Sequence, residues 1–398
     1  MDSDDHRMLG PRLDLFHHQE DAPGAAFWHP RGATLYRVIE DYIRQEMQRA
    51  GFREVRTPQL LARSLWERSG HWSKFRDNMF VFSSEDERSF ALKPMNCPGH
   101  IQLFRQQAAS HHDLPIRVCE FGACHRHEPT GSLHGLMRSR AFTQDDAHVF
   151  CLPEHVNLEV ARFCELLRRV YARFGFSDFV VALSTRPVAR AGSDDVWDSA
   201  EALLADAAEA AGLVFRHQPG EGAFYGPKLE FHLQDRAGRH WQCGTIQIDF
   251  VLPERLGAEY VNADGGRVRP IMIHQAVLGS LERFIAILLE HYRGQLPYWL
   301  APDQVAIAPV GRAQQEYAHY VASAFNAVDV RCVVLDADET LSRRVLLARE
   351  KGIPLFVTVG AKEVATNSVA IRERDGGVTT RHVAEAVEWS RSLDQGSN

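Results

Sequence analysis

The run from Phe121 to His148 carries residues whose types and spacing fit chemistry on a charged substrate. If its second half is a strand, alternate positions share one face. These positions are Arg138, Arg140, Phe142, Gln144, Asp146 and His148. Most of them have polar or charged heads, which are costly to bury unless they pair with each other, a ligand or a metal. The pattern therefore predicts a site for polyanionic nucleotide chemistry.

Three further residues have the chemistry of metal ligands. Cys97 lies in KPMNCPGH, His148 closes the QDDAH segment, and His274 lies in IMIHQAVLGSLERF. Taken singly, a cysteine or histidine of this kind is more often a packing or hydrogen-bonding residue. Together they could form a Cys/His/His zinc site with an open fourth position, which is typical of a catalytic metal. They are far apart in the sequence, so no local spacing rule decides between the two interpretations.

Arginines are the second chemical feature, because a planar guanidinium binds phosphate bidentately and stacks on aromatic rings. The candidates are Arg126, Arg138, Arg140 and Arg283. Neither a GxxxxGK[ST] loop nor a GxGxxG fingerprint after a strand occurs in the chain. If the protein binds ATP, we expect arginines and an antiparallel sheet to hold it.

Composition bounds the class of protein. The 398 residues are 45% hydrophobic and 24% charged, which indicates a soluble globular protein with two domains. The net charge of −7 argues against nonspecific nucleic-acid binding over the whole surface but permits a local basic face. Seven cysteines without paired CxxC spacing favour reduced thiols. No apolar stretch is long enough for a bilayer, and the opening MDSDDHR does not resemble a signal peptide, so we expect a cytoplasmic location.

Periodicity places the elements around these candidates. It predicts a helix over residues 35–47 ending near Ala50, then an extended segment running into Pro58. Residues 228–234 and 245–250 alternate as antiparallel strands, whose polar face could be either a site or a solvated surface. Residues 276–291 read as a mostly apolar helix containing Arg283. The stretch 294–302 predicts a boundary, followed by an alternating α/β domain with a parallel or mixed sheet.

The ordered motifs resemble those of threonyl-tRNA synthetases, a family of class II aminoacyl-tRNA synthetases. GFREVRTPQL is similar to class II motif 1, EFGACHRHEPTGSLHGLMRSRAFTQDDAHVF to motif 2 and LGSLERF to motif 3. KPMNCPGH, EGAFYGPKLEF and WQCGTIQIDF resemble segments specific to the threonyl branch. The resemblance implies an α+β catalytic domain over residues 1–296, with an antiparallel sheet flanked by helices. It also implies an α/β anticodon-binding-like domain over residues 297–398.

The resemblance assigns roles to individual residues. The implied zinc ligands are Cys97, His148 and His274, and the implied threonine pocket comprises Asp146, Tyr225, Gln242, Cys243 and Gln247. The implied ATP residues are Arg126, Glu128, Arg138, Gln144 and Arg283, with Lys228 near the phosphates or carboxylate. His71 matches a histidine implicated in transfer to tRNA, although alone it reads as a loop histidine. The implied reaction forms threonyl-adenylate from threonine and Mg²⁺-bound ATP, then charges tRNA(Thr), in a homodimer that associates through motif 1.

Two departures from the family keep alternatives open. The chain starts at the catalytic domain, without the N-terminal editing module, so we expect uncorrected activation of serine. TLSRRVLLAREKG replaces a basic KIGYKIRE-like segment, although Glu363 and Arg372 match anticodon-reading positions. The helix basic residues Arg343, Arg344, Arg349 and Lys351 could meet RNA phosphates or form a solvated face. The alternatives are a paralogue that passes threonine to a carrier protein, an inhibitor-resistant duplicate, and a noncatalytic RNA-binding paralogue.

Overall fold

The computed structural model describes residues 2–85, 87–107, 109–235 and 237–395. Its helices are α1 (His6–Arg12), α2 (Pro30–Arg49), α3 (Arg63–Ser69), α4 (His71–Phe75), α5 (Cys97–Gln106), α6 (Val156–Arg173), α7 (Asp194–Ala210), α8 (Val251–Leu256), α9 (Leu281–His291), α10 (Gln315–Asn326), α11 (Leu341–Glu350), α12 (Ala361–Ala365) and α13 (Val383–Gln395). Short 3₁₀ turns occupy Arg76–Asn78, His111–Asp113, Thr130–Ser132, Pro153–His155, Tyr298–Leu300 and Arg312–Gln314.

The strands divide among several sheets. They are β1 (Phe16–His17), β2 (Phe27–Trp28), β3 (Arg53–Glu54), β4 (Leu60–Ala62), β5 (Val81–Ser83), β6 (Ser89–Leu92), β7 (Ile116–His125), β8 (Ala141–Cys151), β9 (Val180–Ser184), β10 (Phe215–Gln218), β11 (Lys228–Gln234), β12 (His240–Asp249), β13 (Tyr260–Val261), β14 (Arg267–Val268), β15 (Ile271–Ser280), β16 (Val305–Pro309), β17 (Cys332–Val334), β18 (Leu355–Val359), β19 (Ser368–Arg372) and β20 (Val378–His382).

The described chain forms two units. One comprises residues 20–25 and 40–287, and the other comprises residues 2–19, 26–39 and 288–395. We call them the large-sheet unit and the C-terminal unit. The functional domains predicted over 1–296 and 297–398 stay a prediction.

An eight-stranded sheet organises the large-sheet unit, in the order β10-β9-β11-β12-β15-β8-β7-β3. The pairs from β9 to β7 are antiparallel, and only the outer pairs with β10 and β3 are parallel among the described residues. This confirms the predicted antiparallel catalytic fold and the strands near 228–234 and 245–250.

Helix α6 covers one face of this sheet. Its apolar residues recur at helical spacing, and Phe163, Leu167 and Val170 are fully buried. The hydroxyl of Tyr171 donates to the carbonyl of Val277 at 3.0 Å and accepts from the backbone N–H of Gly244 at 2.9 Å. These bonds fix the helix against the central strands, so side chains on the opposite face of the strands are left to form a cavity.

The predicted helix over residues 276–291 is wrong in its first turn. Residues 276–280 complete β15, and α9 begins only at Leu281. The apolar run resembled a helix because β15 is a central strand that is buried along most of its length. Such a strand lacks the alternation of apolar and polar residues that marks a half-exposed strand. Arg283 does lie in the helix, as predicted.

The C-terminal unit contains a five-stranded mixed sheet in the order β17-β16-β18-β19-β20. Strand β16 pairs in parallel with β17 and β18, whereas β19 pairs antiparallel with β18 and β20. Helices α10 and α11 connect the parallel strands, which confirms the predicted α/β alternation after the boundary.

All seven cysteines lie in the described ranges as unpaired thiols. None of the helices described is long and apolar enough to cross a membrane.

Candidate active site

The large sheet carries a cavity of about 530 Å³ on the face that α6 leaves free. It collects most of the predicted site residues, namely Cys97, Arg126, Glu128, Arg138, Gln144, Asp146, His148, Tyr225, Lys228, Gln242, Cys243, Gln247, His274 and Arg283. Strand β8 supplies Gln144, Asp146 and His148 from alternate positions, as the predicted pattern requires. Arg138 reaches the same cavity from the segment before β8.

Arg140 departs from the predicted face. It lies before β8 begins, and its Nε donates to the carbonyl of Glu128 at 2.9 Å. Its guanidinium also donates to Thr130 Oγ1 at 3.2 Å. Since Arg140 holds the loop between β7 and β8 and does not line the cavity, its prediction as a phosphate ligand is wrong.

Three histidines form a buried chain between two carboxylates beside the cavity. His100 Nε2 lies 3.1 Å from Glu120 Oε2, and His100 Nδ1 lies 2.7 Å from His148 Nδ1. His148 Nε2 lies 2.9 Å from His274 Nδ1, and His274 Nε2 lies 2.8 Å from Asp249 Oδ2. In space, a carboxylate thus lies at each end of a row of three imidazoles.

The row of three histidines has one proton too few for its hydrogen bonds. An ionised carboxylate only accepts, so His100 and His274 both donate from Nε2. Three neutral imidazoles carry three N–H protons, but the chain contains four contacts that each need one. One contact between histidines is therefore short of a proton, and two ring nitrogens with lone pairs face each other there. If the His148 proton lies on Nδ1, the deficit falls between His148 Nε2 and His274 Nδ1, where a cation would replace the missing proton.

Charge around the chain favours the same solution. Burial, together with the repulsion that a protonated His274 or His100 would add, holds the pKa of His148 well below its usual value, so that an extra proton is disfavoured. Asp146 Oδ1 lies 3.8 Å from His148 Nε2. Imidazole nitrogens are also common ligands of borderline-soft metal ions, so these residues have suitable donor chemistry for a metal.

The thiol of Cys97 lies farther from at least one of the two histidines, His148 and His274, than they lie from each other. It lines the cavity at the start of α5, where burial raises the pKa of its thiol well above the usual value. Its Sγ lies 3.7 Å from His71 Nε2. Within the described ranges, the one set of three metal-type side chains with donor atoms all within 4.8 Å of one another is Asp5, His6 and Glu290. The predicted zinc set is thus chemically suited, but its sulfur lies outside that distance from at least one imidazole nitrogen.

The carboxylate of Asp146 is held by an asparagine that sequence reasoning missed. Asn96 Nδ2 donates to Asp146 Oδ2 at 2.9 Å, and both side chains are buried. A Cβ at Gly122 would lie 2.2 Å from Asn96 Oδ1, so only glycine leaves room for this amide. The sequence signal was position, because Asn96 directly precedes Cys97 in KPMNCPGH.

The proposed amino-acid pocket contains an unsatisfied acceptor. Gln247 Oε1 is buried without a hydrogen-bond partner among the described residues, although Gln247 lines the cavity. Such an orphan is costly unless a ligand or water donates to it. Tyr225 stacks on His274 with ring centroids 4.9 Å apart, and Gln242 Nε2 donates to Thr245 Oγ1 at 2.7 Å. Cys243 is buried with a pKa that burial raises to about 12, so it is a neutral thiol.

Three arginines face the cavity without a carboxylate within ion-pair distance in the described chain. Arg283 donates to the carbonyls of Met137 at 2.9 Å and Gln242 at 2.8 Å. Arg126 donates to the carbonyl of Pro94 at 3.2 Å and lies over the Phe142 ring. Arg138 is exposed. Burial and the nearby Arg126 and Arg138 lower the pKa of Arg283, which is the expected signature of a cation cluster awaiting an anion.

Lys228 and His71 have different surroundings from the other candidates. Lys228 forms a close ion pair with the buried Glu230, which also contacts His232 Nε2 at 2.9 Å. His71 is fully buried beside the cavity, where its Nδ1 lies 2.8 Å from Ser69 Oγ. Burial and the neighbouring His274 lower its pKa to about 3, so the ring is neutral and lies behind the cavity wall.

The C-terminal unit does not bring its candidates together in the same way. Glu363 Oε2 accepts from the backbone N–H of Gly360 at 2.9 Å and so caps α12. Arg372 is exposed at the end of β19. Arg344 is 2% exposed and donates to the carbonyls of Pro309 at 2.7 Å and Leu335 at 3.2 Å. Burial of Arg344 contradicts both alternatives given for it, a contact with RNA phosphates and a place on a solvated face, whereas Arg343 and Arg349 are exposed.

Comparison with protein families defines the class. Residues 80–292 match the tRNA synthetase class II core domain (G, H, P, S and T), and residues 304–393 match the anticodon binding domain. The chain belongs to the class II tRNA synthetase core family.

Within this class, its curated relatives include threonine–tRNA ligases. The enzyme of Methylococcus capsulatus is 54% identical over 94% of this chain and 58% of its own length, and that of Caulobacter vibrioides is 52% identical over 98% and 59%. The chain thus spans about three fifths of the length of these relatives. A crystal structure of the RNA binding domain of threonyl-tRNA synthetase from Cryptosporidium parvum is 38% identical with a TM-score of 0.95, covering 98% of both chains. A putative threonyl-tRNA synthetase from Aeropyrum pernix is 31% identical with a TM-score of 0.80, covering 99% of this chain and 98% of its own.

Proposed function

We propose that this chain activates threonine with ATP and transfers the threonyl group to tRNA(Thr). The observation that carries the proposal is one cavity that contains an arginine cluster, without carboxylate partners among the described residues, and an imidazole pair that lacks a cation. A polyanionic ligand would neutralise the arginines, and a metal ion in an amino-acid pocket would bind the two imidazoles. The relatives named above supply the amino acid, since they are threonine–tRNA ligases.

Cys97, His148 and His274 would hold a zinc ion, which supplies a coordination position for the amino and hydroxyl groups of threonine. Asp146 would accept a hydrogen bond from the threonine hydroxyl, with Asn96 holding its carboxylate in place. Gln247 Oε1 would accept a hydrogen bond from the amino group of the substrate. Valine matches threonine in size but offers no hydroxyl, so it would leave Asp146 without a donor and be rejected.

The arginines would bind the triphosphate. Arg126 and Arg283 would stabilise charge at the α-phosphate while the threonine carboxylate attacks phosphorus, forming a C–O–P bond and releasing pyrophosphate. Arg138 would bind the outer phosphates, with Mg²⁺ accompanying ATP as in other nucleotidyl transfers. Gln144 lies on the same face of β8 as Asp146 and would orient the carboxylate. Glu128 would contact the adenine, and Lys228 would assist near the phosphates once drawn from Glu230.

Few contacts in the structure bear on the transfer of the threonyl group and on tRNA recognition. His71 would act at the transfer step through its neighbours, and Glu363 and Arg372 would contact the anticodon. Association into a homodimer through the motif 1 segment, residues 51–60, completes the proposed assembly. The carrier-protein alternative differs only in the acceptor.

Two assays test the proposal on the purified zinc-loaded protein. Threonine-dependent exchange of pyrophosphate into ATP measures adenylate formation, and radiolabelled threonine with total tRNA measures transfer. We expect both activities with threonine and at least a hundredfold lower exchange with valine. Exchange without tRNA charging would replace tRNA by another acceptor, and absence of both activities would refute the proposal.

A further inference from the structure

Lys93, Glu120 and His100 form a buried polar arm behind the imidazole pair. Lys93 is 1% exposed, Glu120 is 5% exposed and His100 is fully buried. None of the three lines the cavity. Buried charges of this kind are costly and are expected only where pairing and hydrogen bonds compensate them.

Glu120 is the centre of the arm because four donors converge on its carboxylate. Lys93 Nζ donates to Oε1 at 2.9 Å, and the backbone N–H of Thr57 donates to the same oxygen at 2.9 Å. Thr57 Oγ1 donates to Oε2 at 2.8 Å, and His100 Nε2 lies 3.1 Å from Oε2. Burial raises the pKa of Glu120, but the bonds from His100, Thr57 and Lys93 outweigh burial and bring the pKa to about 2.

An ionised Glu120 fixes the proton of His100 on Nε2, so His100 Nδ1 carries a lone pair. His100 Nδ1 lies 2.7 Å from His148 Nδ1, so it can accept a hydrogen bond from an Nδ1 proton of His148. The Nε2 of His148 is then left unprotonated on the side of the cavity. On the other side, Asp249 does the same for His274, and Asp249 is itself held by the backbone N–H groups of Val251 and Leu252 at 2.7 and 2.9 Å.

We infer that His100 is a positioning residue, which through the Lys93–Glu120 pair holds His148 in the tautomer whose Nε2 lone pair faces the metal position. This inference rests on the proposed function, since it assigns a purpose to the arm only if a metal binds His148. His100 acts through its hydrogen bond and contacts neither the metal nor the substrate. Outer partners of metal-binding histidines commonly govern metal affinity 10- to 100-fold.

Two matched variants separate the roles of the two nitrogens of His100. In His100→Asn, the amide oxygen occupies the position of Nδ1 and can still accept from His148, but the contact with Glu120 is lost. In His100→Gln, the amide reaches the position of Nε2 and can still contact Glu120, but no acceptor faces His148. The control is His217→Gln, because His217 is exposed on β10 and lines no part of the cavity.

Zinc affinity is measured by competition with a chromophoric chelator, with circular dichroism as the check of folding. We expect zinc to bind His100→Gln 10- to 100-fold more weakly than the wild type, whereas His100→Asn and His217→Gln stay within about threefold. Equal affinity in all variants, or equal losses in the two His100 variants, would overturn the inference. Failure of the wild-type protein to bind zinc would instead overturn the metal in the proposed function.

A second readout needs no variant. In zinc-loaded wild-type protein with ¹⁵N-labelled histidine, we expect a slowly exchanging Nδ1 proton on His148 with scalar coupling to Nδ1 of His100. A rapidly exchanging proton without this coupling would show that His100 does not hold His148. This measurement decides the question even if His100→Gln fails to fold.

Discussion

The large-sheet unit and the C-terminal unit use arginine in opposite ways. In the large-sheet unit, Arg126 and Arg283 are held by backbone carbonyls and face the cavity, with no carboxylate partner in the part of the unit that the structure describes. In the C-terminal unit, Arg344 is also held by carbonyls but is buried against its own helix and sheet. Bonds to backbone carbonyls thus hold the guanidinium beside a cavity in one unit and within the protein interior in the other, where Arg344 Nε has no partner among the described residues. A cationic residue is therefore a binding candidate only where a cavity reaches its charged end.

The buried arm of the large-sheet unit gives the largest expected effect. Glu120→Gln removes one partner of a buried ion pair and leaves Lys93 uncompensated, so we expect a loss of about 3–5 kcal/mol in the free energy of unfolding at pH 7. The measurement is urea denaturation followed by circular dichroism. Glu165→Gln is the matched control, because Glu165 is exposed on α6 and should change stability by less than about 0.5 kcal/mol.

The difference in unfolding free energy between wild type and Glu120→Gln depends on pH in a direction that the pKa of Glu120 defines. The pKa of Glu120 is about 2 in the folded protein and 4.5 as an ordinary side chain. Its ionised form therefore contributes stability that is fully present above about pH 4.5 and is lost as pH falls toward about 2. The gap between wild type and Glu120→Gln should narrow over this range. A gap that stays constant down to pH 3 would contradict the ion-pair explanation.

Arg283→Met tests the cavity itself. Removing a cation that stabilises developing charge costs about 10²- to 10³-fold in rate, so threonine-dependent pyrophosphate exchange should fall by that factor. Arg267→Met is the control, since Arg267 is exposed on β14 and lines no part of the cavity. Exchange at the wild-type rate in folded Arg283→Met would remove Arg283 from the proposed reaction.

Sequence reasoning succeeded where one strand or one helix carries the signal. The alternation of Gln144, Asp146 and His148 predicted a shared face, and β8 provides it. Periodicity could also have corrected Arg344, because Leu341, Arg344, Val345 and Ala348 lie at the spacing of one helix face, and that face packs on the sheet.

The outer partners of the histidines are harder to predict. Glu120 and Asp249 come from different strands, and their contacts with His100 and His274 arise only when β7, β8, β12 and β15 pair. The metal-ligand roles of Cys97, His148 and His274 come from the resemblance and stay a prediction, because their spacing in the sequence could not assign them. No local pattern states which carboxylate faces which imidazole, because strand register decides it.

Arg344→Met and Arg343→Met compare buried and exposed arginines on one helix. Arg344→Met leaves the carbonyls of Pro309 and Leu335 without this donor, so we expect a loss of about 1–3 kcal/mol in the free energy of unfolding. Arg343→Met should lie within about 0.5 kcal/mol of the wild type. Thermal and urea denaturation measure both. Equal losses would contradict the assignment of Arg344 as the structural arginine.

The smallest expected effect is that of Arg372→Ala, which tests whether an exposed arginine of the C-terminal unit contacts RNA. Arg372 is exposed at the end of β19 and should be replaceable by alanine without loss of stability. If it contacts tRNA, Arg372→Ala raises the KM for tRNA several-fold and leaves pyrophosphate exchange unchanged, because exchange needs no tRNA. Lys362→Ala is the matched control, since Lys362 is an exposed cation on the same unit and the resemblance gives it no role. Equal KM values in all three proteins would show that a single exposed cation contributes too little, after screening by salt, to identify the RNA-binding surface.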